Sequence, residues 1–114
     1  MENAVLKKFR EGRPSLGTFT AVGNPLAVES LGYTGLDYVI VDTEHTPAGI
    51  ESAAAQIAAA QGAGLTALAR ANEISRTAVL RLLDVGAQGV VVPCVETVEE
   101  VRELVQYAKY TPLG

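Results

Sequence analysis

Four short apolar runs, starting near residues 15, 36, 65 and 89, are each followed by a segment carrying helix signals. This alternation constrains the fold more than any other feature of the chain. Residues 15–20 read as a first strand, and Asn24-Pro25 supplies a cap and a first-turn proline for a short helix ending near Gly32. Residues 36–42 form a second strand. Its Val39-Ile40-Val41 run lacks the in/out alternation of a half-exposed strand, so both of its faces are expected to be covered. Thr46-Pro47 signals the next helix, which continues through the alanine-rich residues 52–61 and ends at Gly62 and Gly64. Residues 65–70 are a third strand, residues 75–83 a helix stopped by Gly86, and residues 89–93 a fourth strand. Thr97-Val98-Glu99-Glu100 has the spacing of a capping box, opening a last helix that runs to about Lys109. An amphipathic helix over about residues 3–12 precedes the first strand.

Regular alternation of strand and helix implies parallel pairing through right-handed crossovers. An open doubly wound sheet and a (β/α)₈ barrel both accept the pattern. No Gly-x-Gly-x-x-Gly follows the first strand, which speaks against a dinucleotide fold. A barrel takes roughly 250 residues and eight units, so four units in 114 residues amount to half of one. The expectation is therefore an α/β chain comprising about the first four βα units of a barrel after an N-terminal helix. The chain is expected to be partial, and its two sheet edges need covering.

Composition excludes several classes of function. Almost half of the residues are apolar and about a fifth charged, the balance of a folded domain. A formal charge of −4, with nine Lys and Arg scattered along the chain, provides no basic face for nucleic acid. No apolar run approaches the roughly 20 residues that span a bilayer, and the first residues lack the apolar core of a secretory signal. A single cysteine excludes an internal disulfide and suits a reducing compartment. A cytoplasmic protein is expected.

The reactive side chains fall at strand ends, where barrels build their sites. Asp42 and His45 follow the second strand, Arg70 closes the third, Phe19 lies near the end of the first, and Pro93 and Cys94 follow the fourth. His45, the single histidine, is the natural proton carrier near neutral pH. A local hydrogen bond on a surface loop is the plainer reading. Asp42 either orients that imidazole or caps the turn after its strand. Arg70 ends an otherwise apolar run and either clamps a carboxylate by two parallel hydrogen bonds or pairs with Glu44 or Glu73. Glu44 beside one histidine is too little to define a metal site. Cys94 reads as a small buried residue, since no second histidine exists to activate it. Asp84, in Leu83-Asp84-Val85-Gly86, most simply terminates a helix.

Together these residues resemble the HpcH/HpaI aldolases. Val39-Ile40-Val41-Asp42-Thr43-Glu44-His45 is similar to that family's hydrophobic-Asp-x-Glu-His segment. Ala69-Arg70 after Gly64-Leu65 matches its third strand, and residues 82–93 match its Leu-Asp-x-Gly-Ala-x-Gly-hydrophobic-Pro stretch. Residues 110–114, Tyr-Thr-Pro-Leu-Gly, resemble its Tyr-Pro-Pro-Leu-Gly. The resemblance implies that residues 1–114 are the N-terminal half of a single barrel domain. It implies a carbon–carbon lyase that splits or forms 4-hydroxy-2-oxo acids, giving pyruvate and an aldehyde through a metal-stabilised enolate. It further implies a divalent ion (Mg²⁺, Mn²⁺ or Co²⁺) and a homo-oligomer, commonly a hexamer, with no nucleic-acid or membrane partner. His45 with Asp42 would be the acid/base dyad, and Arg70 would bind the pyruvyl oxygens. Phe19 stands where many members have Trp and would line the substrate pocket, while Asp84 would act near a subunit boundary. The metal-binding Glu and Asp of the family come from later strands, so no metal ligand is expected in this chain, and the segment alone is expected to be inactive. A citrate-lyase-beta-type lyase and a non-catalytic half-barrel interaction module are the alternatives.

Overall fold

In a computed structural model, which describes residues 2–114, the alternation read from the sequence is realised as nine elements. They are α1 (Ala4–Arg10), β1 (Gly17–Thr20), α2 (Pro25–Leu31), β2 (Tyr38–Asp42), α3 (Ile50–Gly62), β3 (Thr66–Arg70), α4 (Arg76–Asp84), β4 (Gly89–Val91) and α5 (Val98–Tyr107). The four strands form one parallel sheet in the order β1-β2-β3-β4. Sequential order with parallel neighbours means that every connection is a crossover through a helix.

Local chemistry starts most helices where the sequence signals place them. Asn3, Asn24, Ser75 and Thr97 cap α1, α2, α4 and α5 with their side chains, and the capping box of Thr97 and Glu100 is complete in both directions. Helix α3 differs from expectation. It begins at Ile50 with Gly49 at its cap and no side-chain cap bond. The hydroxyl of Thr46 donates to the Asp42 carbonyl and accepts the Ala48 N–H at 3.3 Å, which draws residues 43–48 into a turn over the end of β2. Its other end also shifts. Gly62 is the last helical residue, and Gly64 supplies the left-handed φ of +84° that swings the chain into β3. Strand β4 stops at Val91 rather than Pro93, because its partner β3 ends at Arg70 and no further register pair exists.

Side chains alternate across the sheet. Val39, Val41, Ala67 and Ala69 face the helices and join Val28, Ala53, Ile57 and Ala60 in one core. Small alanines on both layers let α3 approach β2 and β3 closely. Thr20 on the same face donates to buried Gln56 of α3 at 2.9 Å, so the polar pair is satisfied and ties β1 to the helix layer. Ile40 is buried on the other face, as the unbroken apolar run of β2 predicts. On that face large residues lie over glycines. A Cβ at Gly17 would meet the Tyr38 ring at 2.3 Å, and one at Gly89 would meet Leu68 Cδ2 at 2.8 Å.

Helix α1 lies across the N-terminal ends of the strands. Lys8 pairs with Asp37 at 2.8 Å, the Ala4 N–H donates to Thr66 Oγ1 at 2.9 Å, and Asn3 Nδ2 donates to the Gln88 carbonyl at 3.3 Å. No helix among the described residues is long and apolar enough to cross a membrane.

Candidate active site

The register of the sheet sets Asp42 beside Arg70, each the last residue of its strand. Arg70 Nε donates to Asp42 Oδ1 at 3.0 Å and Nη2 donates to Oδ2 at 2.7 Å, a two-pronged pair with both charges largely withdrawn from solvent. The guanidinium therefore holds the Asp42 carboxyl down to about 2, against an ordinary 3.8. The N–H groups of Glu44 and His45 add to the effect, while burial opposes it. Asp42 in turn raises the pKa of Arg70. From β1, the half-exposed Phe19 ring lies 4.6 Å from the guanidinium carbon, so an aromatic face backs the cation. The plane of Arg70 is fixed on two sides. Among the described residues Nη1 has no hydrogen-bond partner, which leaves donors for an incoming anion.

Asp42 also shapes the turn that follows it. Its Oδ1 accepts the N–H of Glu44 at 2.9 Å and of His45 at 3.3 Å. The Thr43 hydroxyl and N–H both donate to the Arg70 carbonyl, which pins the turn to the end of β3. His45 is delivered to the same rim, with its side chain 68% exposed and Nε2 2.9 Å from Glu44 Oε1. Glu44 Oε1 lies 3.4 Å from Arg70 Nε as well.

Asp42, His45, Arg70 and Phe19 are thus brought together at the carboxyl ends of β1, β2 and β3. Within the group, the Asp42 carboxylate faces Arg70 and meets His45 only through its backbone N–H, while the imidazole Nε2 lies near the Glu44 carboxylate. Both alternatives read for Asp42 and Arg70 at the level of sequence find a counterpart, since Asp42 caps the turn and Arg70 pairs with an acid. That acid is Asp42, with Glu44 looser; Glu73 instead accepts from the Ser75 hydroxyl. The Asp42–Arg70 and Glu44–His45 pairings were not read from sequence. Equal strand ends hint at the first; nothing in spacing marks the second.

Asp84 does not join this group. It is the last residue of α4, which starts after the end of β3 and runs back along the sheet for roughly 13 Å at 1.5 Å per residue. There it accepts a hydrogen bond from the exposed Tyr110 hydroxyl at 3.0 Å, which raises the tyrosine pKa. Cys94 departs from expectation. It is exposed, with a left-handed φ of 59°, because β4 ends early and leaves it in the loop beyond the sheet.

The donor chemistry of this rim does not make a metal centre by itself. Asp42 is occupied by Arg70 and two N–H groups, and Glu44 by Arg70 and His45. Among the described residues no three His, Cys, Asp or Glu side chains converge as an ion requires.

Known proteins share this arrangement of elements and sequence. A 4-hydroxy-2-oxo-heptane-1,7-dioate aldolase of Shigella sonnei (strain Ss046) is 31% identical over 114 residues, covering all of this chain and 44% of the relative. The crystal structure of an HpcH/HpaI aldolase from Desulfitobacterium hafniense DCB-2 superposes with a TM-score of 0.89 at 38% identity, over 99% of this chain and 44% of that one. The crystal structure of the citrate synthase SbnG superposes with a TM-score of 0.90 at 30% identity, over 99% of this chain and 46% of that one. The chain spans less than half the length of these proteins, and the matched part is the N-terminal half of a barrel: an α/β fold of four βα units behind a leading helix. The family description HpcH/HpaI aldolase/citrate lyase matches residues 15–114, and the chain belongs to that family.

Proposed function

We propose that this chain is the N-terminal half, residues 1–114, of a single barrel domain of a cytoplasmic carbon–carbon lyase. The enzyme cleaves or forms a 4-hydroxy-2-oxo acid, yielding pyruvate and an aldehyde. The observation that carries the reading is the Arg70 fork, locked by Asp42, backed by Phe19 and set on the same rim as His45. Cleavage requires removal of the 4-hydroxyl proton, rupture of the C3–C4 bond and passage of its electron pair into an enolate, which then takes a proton at C3. Arg70, through its remaining donors, binds the pyruvyl oxygens and offsets the charge that grows on the enolate oxygen. His45 is the group that accepts and returns the proton. Asp42 keeps the guanidinium aimed, and Phe19 forms one wall of the pocket.

The divalent ion implied by the family (Mg²⁺, Mn²⁺ or Co²⁺) would take its protein ligands, a Glu and an Asp, from later strands, as the resemblance implies. The parent enzyme is a homo-oligomer, commonly a hexamer in the family, and Asp84 lies near a boundary between its subunits. Similarity to a citrate synthase favours one second reading, a related citrate-lyase-beta-type carbon–carbon lyase.

Activity measurements separate these readings from a non-catalytic role. In the parent protein Arg70→Ala is expected to lower kcat/KM for aldol cleavage about 10²–10³-fold, the usual loss when a donor to a developing oxyanion is removed. The isolated 114-residue chain, given pyruvate, aldehyde and Mn²⁺, is expected to show no turnover. Full activity of both Arg70→Ala and His45→Asn parents would overturn the assignment.

A further inference from the structure

On the lyase reading, Arg70 holds one end of a substrate while His45 moves a proton at the other. Such a step tolerates an error of only about 0.5 Å in the placing of the two groups. They stand on different segments, Arg70 on β3 and His45 on the turn after β2. The bonds that shape this turn mostly close within it. Asp42 Oδ1 accepts the N–H groups of Glu44 and His45, and the Thr46 hydroxyl joins the Asp42 carbonyl to the Ala48 N–H. They set the form of the turn, not its place against β3. Among the described residues, apart from the contacts of the Asp42 and Glu44 carboxylates with Arg70, one residue ties the turn to the neighbouring strand. That residue is Thr43, whose N–H donates to the Arg70 carbonyl at 3.1 Å and whose hydroxyl donates to the same oxygen.

The N–H bond continues the β2–β3 ladder by one rung, and a single rung leaves the departing chain free to pivot. The hydroxyl adds a second bond to the same acceptor, which occupies both lone pairs of the carbonyl and holds the threonine in one rotamer. The anchor is itself firm. On the far side of the same peptide unit, the N–H of buried Ala71 donates to the Val91 carbonyl of β4 at 2.9 Å. Thr43 does not belong to the rim that would meet a substrate. It lies on the side of Val39 and Val41, where it lines a cleft between α3 and α4 with Ile50, Thr77 and Leu82. Resting on the lyase reading, we propose that Thr43 is a positioning residue. Its hydroxyl, closed on the Arg70 carbonyl, sets the place of the His45 turn relative to the Arg70 clamp, so that both groups meet one substrate.

Thr43→Val removes the hydroxyl and keeps the shape. In the parent protein it is expected to lower kcat for aldol cleavage about tenfold, the scale of one net hydrogen bond. KM should stay nearly unchanged, because Arg70 and its Asp42 partner are untouched. Thr43→Ser restores a hydroxyl and should recover most of the rate, whereas the smaller side chain would not repair a loss of packing. Thr43→Ala carries the same expectation as the valine variant, should the latter fail to fold. Amide hydrogen exchange in the parent gives a reading that needs no turnover. In Thr43→Val the N–H groups of residues 43–45 should exchange about tenfold faster, while those of Val41 and Ala69 keep their protection. Wild-type kcat in Thr43→Val, a loss confined to KM, a Thr43→Ser as slow as Thr43→Val, or unchanged exchange at residues 43–45 would overturn the proposal. The two readings fail separately. An active parent whose kcat ignores Thr43→Val keeps the lyase reading and loses this one; a parent without aldol turnover ends both, whichever way the amides exchange.

Discussion

The inner pair of strands and the last βα unit obey different rules of construction. Strands β2 and β3 share five register pairs, and their helix-facing residues, with α3 above them, are sealed from solvent. Strand β4 has three residues, none fully buried, and α5 buries none of its ten. Yet α5 is no less apolar on one face: Val98, Val101 and Val105 recur at helical spacing and stay exposed, and Val101 and Val105 line a groove with Val90, Val92 and Val95. The inner pair completes its own core, whereas the outer unit is patterned for a core that the described residues only begin. The site sits on the self-sufficient part, where the aim of Arg70 rests on β1, β2 and β3 alone.

The contrast can be broken most directly in the apolar layers. Ile57→Ala, at a fully buried position of α3, is expected to cost about 2–5 kcal/mol. Val101→Ala, at a position 48% exposed in α5, should stay within about 0.5 kcal/mol in the isolated chain. Denaturant titration of both variants reads the difference, and equal losses would erase the distinction between the two regions.

Acid tests the polar part of the inner pair. The native Asp42 carboxyl titrates near 2 rather than 3.8, so the folded state binds this proton less readily than the unfolded chain. Its stabilisation is complete above about pH 4 and drains away as the pH falls towards 2, on the order of 2 kcal/mol in all. Asp37, lowered by Lys8, titrates in the same direction, so the part due to Asp42 is the slope lost in Asp42→Asn. An unchanged acid limb in that variant would mean that the ion pair contributes nothing to folding.

The smallest effect belongs to the outer unit. Thr97→Ala removes one half of the capping box and is expected to lower stability, or the helicity of α5, by about 1 kcal/mol. Circular dichroism would register fraying of α5 with the remainder of the chain intact. Cooperative loss of the whole fold would show instead that the outer unit is bound into the inner core.

Most of the fold was legible in the sequence, because it is written in local terms. Asn24-Pro25, Ser75 and the Thr97–Glu100 box act within one turn of themselves, and the uninterrupted Val39-Ile40-Val41 run encodes burial on both faces. The misreading of Thr46-Pro47 as a helix start has a physical source. The Thr46 hydroxyl does accept the Ala48 N–H as a cap would, but it also donates back to the Asp42 carbonyl, and the chain makes a turn there before α3 starts at Ile50. The site was legible as a set of residues but not as a set of bonds. Asp42 and His45 stand three apart in sequence, which suggests a direct partnership. Arg70, 28 residues away, nonetheless competes for the carboxylate with a full charge and two parallel donors. Only the strand register reveals that competitor.

Helix α1 gives the architecture one more consequence. By lying across the foot of β2 and β3, tied there through Lys8, Ala4 and Asn3, it provides a floor. The amino ends of β2 and β3 are thereby covered, while the rim that carries Arg70 and His45 lies at the opposite ends of the strands. A change at Lys8 would therefore loosen the sheet from below without touching a side chain of that rim.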